Sequence, residues 1–174
     1  MNTENKIISK TIKIINHEGY ESLSLRKLTQ TLNLTTGAFY KHFENKNELF
    51  TKVRIQLSKD FIEHVPLDES KPAKEQLLTI AKYFCREVEV HTNIMNFLLF
   101  NSPVAYQADS DFVFLNKMME LVDQINTKKK ISNEDLLTQI WSFIQGYALL
   151  IKNGATKYNA HLVDTTLSEF MKEE

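Results

Sequence analysis

The sequence predicts an all-α protein in which a small N-terminal unit of three helices precedes a larger helical bundle. Three observations support this prediction. The 174 residues include only 4 Gly and 3 Pro, too few for the many tight turns of an all-β chain. Hydrophobic residues make up 43% and charged residues 25%, which is the balance of a globular protein. Apolar residues also recur at helical spacing along most of the chain.

The first two helices are marked by their ends and by an apolar stripe. The first runs from about Glu4 to His17, and Gly19 is placed to end it as a left-handed cap. Its stripe consists of Ile7, Ile8, Thr11, Ile12 and Ile15. Ser24 is the expected N-cap of a short second helix, because a serine oxygen can accept the free backbone N–H groups of the first turn.

A sharp turn and a third helix follow. Asn33 tolerates the left-handed conformation that such a turn needs, and Thr35 can cap a helix over about 36–42. Phe39 and Phe43 lie four residues apart, so we expect both rings to face inward. Two short helices joined by a tight turn, with a supporting helix before them, predict a helix-turn-helix DNA-binding domain.

The rest of the chain predicts a bundle of longer helices. Asn45 is the expected cap of a fourth helix, with Glu48 at the capping-box position. The seam of this helix repeats every four residues, at Leu49, Val53, Leu57 and Phe61. Beyond a polar break between Pro66 and Pro72, helices are predicted at about 72–90, 92–101, 109–127, 133–153 and 160–172. We therefore divide the chain into a helix-turn-helix DNA-binding domain, 1–46, and a helical-bundle domain, 47–174.

The composition of the third helix favours contact with DNA. Its residues that do not face inward include hydroxyls, a cation and an imidazole but no acid, as a surface that meets phosphates requires. Gly37 lowers helix stability, and its missing side chain would let the backbone approach base edges. The charge of the whole chain agrees. Residues 1–54 carry nine Lys or Arg against five Asp or Glu, whereas residues 55–174 carry 12 against 17.

The first 50 residues resemble the TetR family of one-component transcriptional regulators. The residues at the family's spacing are Gly19-Tyr20, Ser24-Leu25-Arg26, Leu28, Leu32, Leu34-Thr35, Gly37-Ala38-Phe39-Tyr40, His42-Phe43, Lys46 and Glu48-Leu49-Phe50. The sequence departs from the family's pattern at Thr29, where Ala is usual, and at Asn33, where Gly is usual. Both departures affect the expected geometry of the turn between the second and third helices, not the resemblance itself.

The resemblance implies a role for each residue of the DNA-binding set. Residues at positions that contact the phosphate backbone in the family are Ser24, Tyr40, His42 and Lys46. Those at positions that approach base edges are Arg26, Thr36, Gly37 and Ala38. Thr35 and Lys41 complete the set, although Lys41 equally fits a solvated charge, and Tyr40 and His42 also fit ordinary surface residues. Among these side chains, Arg26 has the fork geometry that matches guanine O6 and N7.

The resemblance also implies a homodimer formed by the last two helices. The segment from Leu136 to Ile151 is apolar on more than one face, so it is expected to be buried on two sides. The candidate interface residues are Ile140, Ile144, Gly146, Tyr147, Ile151, Leu167 and Phe170. The alternative is a central helix in the core of a monomer.

Family members bind a small effector in the helical body, and this implies a pocket for a largely apolar molecule. Aromatic and Met side chains suit such a pocket, with a few polar groups to orient the ligand. The candidates are Phe84, Cys85, His91, Phe97, Tyr106, Met118 and Gln145. The same side chains at helical spacing also fit a plain core, and Cys85 fits either a packed thiol or a redox sensor.

The sequence contains no pattern that predicts catalysis, a metal site or a cofactor. It has no glycine-rich phosphate loop, its five His residues are dispersed, and a single Cys excludes an intramolecular disulfide. No signal peptide and no membrane span are apparent, so we expect a cytoplasmic protein. The expected partners are double-stranded DNA, a second copy of the chain and an unidentified effector. The alternative function is an all-α interaction or sequestering protein that reads no specific operator.

Overall fold

The computed structural model describes residues 2–100 and 113–172, and within them the all-α prediction is confirmed, because no strand occurs. The helices are α1 (Thr3–Glu18), α2 (Leu25–Thr31), α3 (Thr36–Tyr40), α4 (Lys46–His64), α5 (Ala73–Val90), α6 (Thr92–Phe100), α7 (Val113–Ile125), α8 (Asn133–Lys152) and α9 (Ala160–Phe170). A 3-10 turn, Tyr20–Ser22, lies between α1 and α2. The predicted helix start at 109 lies outside the described residues.

The predicted caps at the start of three helices are confirmed. The Ser24 hydroxyl accepts from the backbone N–H of Lys27 at 3.5 Å and caps α2. The Thr35 hydroxyl accepts from the N–H of Ala38 at 3.1 Å and caps α3. At the start of α4, Asn45 Oδ1 accepts from the N–H of Glu48 at 3.0 Å. Short polar side chains directly before a helix were therefore enough to predict where these three helices begin.

The turn between α2 and α3 and the end of α1 use two different backbone conformations. Asn33 has φ 54°, the left-handed region predicted for it. Gly19 is confirmed as the residue that caps the end of α1 with a positive φ, although its ψ differs from that of the left-handed helical conformation. It has φ 80° but ψ 159°, an extended conformation that only glycine adopts readily. Its N–H still donates to the Ile15 carbonyl at 3.0 Å, so α1 keeps a satisfied end.

The chain packs as two units, and the first draws on two separate stretches of sequence. This head unit comprises the residues up to Ser58 together with the segment that begins at Asn93. Its core contains Ile7, Ile15, Leu23, Leu28, Phe39, Phe43, Leu49, Phe50, Val53, Leu57 and Phe97. Residues of α1 to α4 thus enclose a side chain of α6. The head unit therefore differs in extent from the domain 1–46 predicted from sequence.

The second unit, the body, comprises Lys59–Thr92 and the described residues from 113 onward. Helix α5 is its centre, because it contacts α7, α8 and α9. Four aromatic rings pack at centroid distances between 5.4 and 5.5 Å: Phe61, Phe84, Phe114 and Trp141. The Tyr147 hydroxyl accepts from the N–H of Asn159 at 2.7 Å and donates to the Lys157 carbonyl at 2.8 Å. This pair of bonds fixes the connection between α8 and α9.

Over the described ranges, 2–100 and 113–172, no helix combines the length and the apolar character needed to cross a bilayer. In the same residues, no three side chains of His, Cys, Asp or Glu come together as a metal site.

Candidate nucleic-acid interface

Helix α3 is fixed to the head by two aromatic rings. Phe39 and Phe43 are buried, and their rings stack at a centroid distance of 5.2 Å. Phe39 lies in α3 and Phe43 lies three residues after its end, so the two rings hold α3 and the residues that follow it against the core. The opposite side of this five-residue helix is therefore presented to solvent.

The exposed side of α3 is polar and carries no acid. Thr36, Gly37, Tyr40 and Lys41 are exposed, and Ala38 and His42 are half-buried. Tyr40 is 55% exposed, and its ring lies edge-on to the Phe39 ring at 5.3 Å. The core thus restricts the Tyr40 ring from one side, while the ring remains accessible from the other. This is the arrangement of a surface that can meet a polyanion.

Gly37 has no packing reason to be a glycine. A Cβ atom built at this position would meet only the Thr35 hydroxyl, at 3.8 Å, which is an ordinary contact. Its φ is also outside the positive range that disfavours other residues. A mid-helix glycine normally costs stability relative to alanine. No contact among the described residues therefore requires a glycine at this position.

The candidates on α2 and at the helix starts are also accessible to an outside partner. Arg26 and Thr35 are exposed, and Ser24 is half-buried. The hydroxyls of Ser24 and Thr35 each accept one backbone N–H as caps. Each hydroxyl keeps its own proton for donation to an outside acceptor such as a phosphate oxygen.

Lys46 makes internal contacts that the sequence did not indicate. Its ammonium donates to the Leu23 carbonyl at 2.7 Å and lies 5.1 Å from the centre of the Phe50 ring. It thereby joins the start of α4 to Leu23, which lies two residues before the start of α2. An ammonium has three N–H donors, so two stay available for other acceptors. The role of Lys46 in DNA binding remains a prediction.

Two further cations of α4 are occupied inside the head. Lys52 pairs with Glu4 at 2.7 Å and with Glu48 at 3.5 Å, and the hydrogen bond to Glu4 raises the pKa of its ammonium. Arg54 is 4% exposed, and burial lowers the pKa of its guanidinium. The guanidinium carbon lies 4.7 Å from the centre of the Phe97 ring. These cations hold the head together rather than adding to its outer charge.

The predicted effector residues are dispersed in the structure. Phe84, Cys85 and Met118 are buried in the body, Gln145 is half-buried, and Tyr106 lies outside the described residues. His91 is exposed and lies 3.6 Å from Glu87.

Phe97, also predicted for the effector pocket, is buried in the head core against Tyr20 and Phe50. Sequence analysis missed this place for Phe97. The stripe of Ile94, Phe97 and Leu98 shows that α6 is amphipathic but does not say what it packs against.

The predicted interface residues of α8 and α9 divide into buried and exposed groups. Buried within the single chain are Ile140, Ile144, Tyr147, Ile151 and Leu167. Gly146 and Phe170 are exposed, and so are three leucines that the sequence analysis did not select: Leu149, Leu150 and Leu162. A partner helix can reach the second group and not the first. The interface prediction therefore rests on the exposed residues.

Comparisons with known proteins agree with this geometry. The profile of the family described as "Bacterial regulatory proteins, tetR family" matches residues 7–53. A curated relative from Haemophilus influenzae, an uncharacterized HTH-type transcriptional regulator, is 34% identical over 93 residues. That match covers 47% of this chain and 46% of the relative, so it spans about half the length of each.

Solved structures share the fold along nearly the whole chain. BioQ with its natural double-stranded DNA operator has a TM-score of 0.71 and 18% identity, over 98% of both chains. FadR from Bacillus subtilis in complex with stearoyl-CoA has a TM-score of 0.69 and 16% identity, over 97% of both chains. At these identities the likeness concerns the fold alone, with its helix-turn-helix head and helical body.

Proposed function

The chain belongs to the TetR family of transcriptional regulators, and we propose that it is a homodimeric repressor that binds a near-palindromic operator and is released by a small effector. The observation that carries the proposal is the exposed, acid-free side of α3, which Phe39 and Phe43 hold in place. Gly37 on that side adds support, since no contact within the chain requires a glycine there.

Two groups of residues divide the work of binding DNA in this proposal. Arg26 and the backbone at Gly37 approach base edges, where a guanidinium can bind guanine O6 and N7 together. Ser24, Tyr40 and His42 donate to phosphates, which position the head without reading sequence. Lys46 adds a phosphate contact through the two N–H groups that its bond to Leu23 leaves available.

A second copy is needed because one head offers few contacts. With about five phosphate contacts, one head would bind DNA non-specifically with a dissociation constant of roughly 10⁻⁴ to 10⁻⁶ M. Two heads on one face of the duplex would read half-sites about 34 Å apart, or a small multiple of that distance. Homodimerisation therefore converts a weak head into a specific repressor.

We place the dimer interface on the outer faces of α8 and α9. Leu149 and Leu150 are exposed on α8, and Leu162 and Phe170 are exposed two turns apart on α9. Gly146 lies in α8 with no atom within 4 Å of a Cβ built on it, so the backbone of another helix can approach closely there. Exposed apolar side chains on two helices of one unit are typical of an interface that a partner covers.

The effector is proposed to bind in the body and to be coupled to DNA binding through α4 and α6. The buried Phe84 and Met118 favour an apolar ligand, and stearoyl-CoA bound to FadR is an example in a protein of this fold. We choose these two helices because the chain passes from one unit to the other within α4, after Ser58, and at the start of α6, after Thr92. By linkage, the effector weakens DNA binding by the factor by which DNA weakens effector binding.

The test is salt-dependent binding of the purified chain to its native promoter DNA. We expect a specific site of two inverted half-sites, and a dimer by light scattering. Arg26→Ala should relax base preference, whereas Lys46→Met should weaken binding to specific and random duplexes alike. If every duplex binds equally at all salt concentrations, the chain is a sequestering protein on this scaffold and not an operator-specific repressor.

A further inference from the structure

Among the described residues, half of the Lys and Arg residues of the head unit that are not held by internal contacts lie outside α2, α3 and the residue directly after α3. The stretch 1–54 holds nine Lys or Arg residues. Three of them, Lys46, Lys52 and Arg54, are held by internal contacts in α4. Of the other six, three lie on α2 and α3 or directly after them: Arg26, Lys27 and Lys41. The remaining three lie on α1.

The three lysines of α1 form one continuous stripe together with His17. Lys6, Lys10, Lys13 and His17 follow one another at intervals of four, three and four residues, which places them on the same side of the helix. Lys6, Lys13 and His17 are exposed, and Lys10 is half-buried. In the described part of the chain, none of the four side chains has an ion-pair or hydrogen-bond partner. We call these four residues the α1 basic stripe.

The rest of α1 is arranged so that the stripe faces away from the core. Ile7, Thr11 and Ile15 are fully buried on the opposite side. The two acids of α1, Glu4 and Glu18, are not three or four residues from any member of the stripe. Glu4 is paired with Lys52. Among the described residues no acid pairs with the stripe, so its three ammonium groups present positive charge to solvent.

The first turn of α1, where the stripe begins, lies near Phe43, because Lys52 contacts both the Glu4 carboxylate and the Phe43 ring. The pair between Glu4 and Lys52 places the first turn of α1 beside the first turns of α4, which begins shortly after α3. The other end of α1 is held by the Asn93 side chain, which donates to the Asn16 carbonyl at 3.0 Å. From Lys6 to Lys13 the helix rises about 10 Å. That length matches about three phosphates along one strand of a duplex.

We infer that the α1 basic stripe binds the phosphate backbone of the same duplex, outside the half-site that α3 reads. The inference rests on the proposed function, because the duplex is the polyanion already brought to the head. Its chemistry is that of multiple ammonium groups on consecutive phosphates, which adds affinity and salt dependence but no base preference. The stripe would extend the contacted length of DNA beyond the operator.

The experiment compares duplexes of two lengths. One ends at the outer edges of the half-sites, and the other extends about ten base pairs, one helical turn, beyond each edge. A scrambled duplex of each length is included. For the parent, the slope of log K against log salt should be steeper on the long duplexes. The variant Lys6→Gln/Lys10→Gln/Lys13→Gln should lose that difference, with a fall of about 0.9 in slope for each lost contact.

A matched control removes three charges from the body instead. The variant Lys71→Gln/Lys74→Gln/Lys157→Gln has the same net charge as the stripe variant and should keep the difference between the two lengths. Both variants should melt like the parent, because none of the six ammonium groups has an ion-pair partner in the described residues, and Gln and Lys have similar helix propensity at the helical positions.

The possible outcomes distinguish the inference about the α1 basic stripe from the proposed operator binding. If the stripe variant keeps the parent's slopes on long duplexes, the inference is overturned while the operator proposal stands. If the operator is no better than scrambled DNA but the stripe still sets the slope, the proposed function fails and the stripe remains. If no duplex binds, both are overturned.

Discussion

The head and the body use aromatic side chains and buried polar groups in opposite ways. In the head, Phe39 and Phe43 anchor a five-residue helix so that its other side faces solvent. In the body, Phe84 and Phe114 stack at 5.5 Å inside a cluster that Phe61 and Trp141 close. The aromatic rings of the head therefore position an exposed helix, whereas those of the body pack against one another.

The two units also differ in the buried groups that can carry charge. The head encloses Arg54, a permanent cation, against the face of the Phe97 ring. The body encloses Cys85, whose thiol can stay neutral because burial raises its pKa to about 12. The contrast teaches that the head tolerates one permanent charge in its interior beside an aromatic ring, whereas the buried titratable group in the described part of the body can stay neutral.

The largest expected effect distinguishes the two cores. Phe97→Ala should lower the free energy of unfolding by about 3–5 kcal/mol, since it removes a fully buried ring. Phe84→Ala in the body should have a cost of similar size. Hydrogen exchange should locate the damage in α1 and the Tyr20–Ser22 turn for the first variant, and in α5 and α8 for the second. Increased exchange confined to the body in Phe97→Ala would contradict the assignment of Phe97 to the head.

A smaller expected effect is the pH dependence of stability that follows from the buried Cys85 thiol of the body. Burial raises the pKa of Cys85 from 9.0 to about 12, so between these values the folded chain keeps a proton that the unfolded chain loses. The free energy of unfolding should therefore be unaffected by this thiol below pH 9 and should fall above it, by about 1.4 kcal/mol per pH unit. Denaturant titrations above pH 9 should show a shallower fall in Cys85→Ala. Equal slopes in parent and variant would show that the thiol ionises without unfolding.

The smallest effect concerns one glycine in each unit. Gly37 and Gly146 are exposed glycines inside helices, and neither is required by contacts within the chain. Substitution by Ala should raise stability by about 0.5–1 kcal/mol at either position. Gly37→Ala should also weaken DNA binding and leave the dimer intact, whereas Gly146→Ala should weaken the dimer. Binding isotherms and light scattering measure the two losses, and a variant that is more stable and fully active would remove the functional reason for that glycine.

Sequence patterns were sufficient for the features of this fold that depend on neighbouring residues. Ser24, Thr35 and Asn45 were predicted as caps because a cap bonds to a backbone N–H three residues away. Asn33 was predicted in the left-handed turn for a similarly local reason. Phe39 and Phe43 could be assigned to one side of α3 because their spacing equals one turn.

Features set by distant residues could not be predicted. The bond from Lys46 to the Leu23 carbonyl joins residues 23 positions apart, and nothing near Lys46 indicates it. Phe97 has the same spacing whether it packs on the body or on the head. For α8, the sequence showed apolar residues all round but not which side the chain's own core would take. Burial of Ile140 and Ile144 follows from the packing of α5 and α7 against α8.

The position of Phe97 in the head core sets a rule for building hybrid regulators from this protein. A fragment cut after α4 would lack the ring that Tyr20, Phe50 and Arg54 surround, and the vacated volume would open beneath the 3-10 turn. Grafting this head onto a foreign sensor therefore requires carrying the α6 segment along, or supplying an aromatic of equal size from the recipient. The module that can be transplanted is therefore discontinuous, because its second segment begins at Asn93, well after the end of α4.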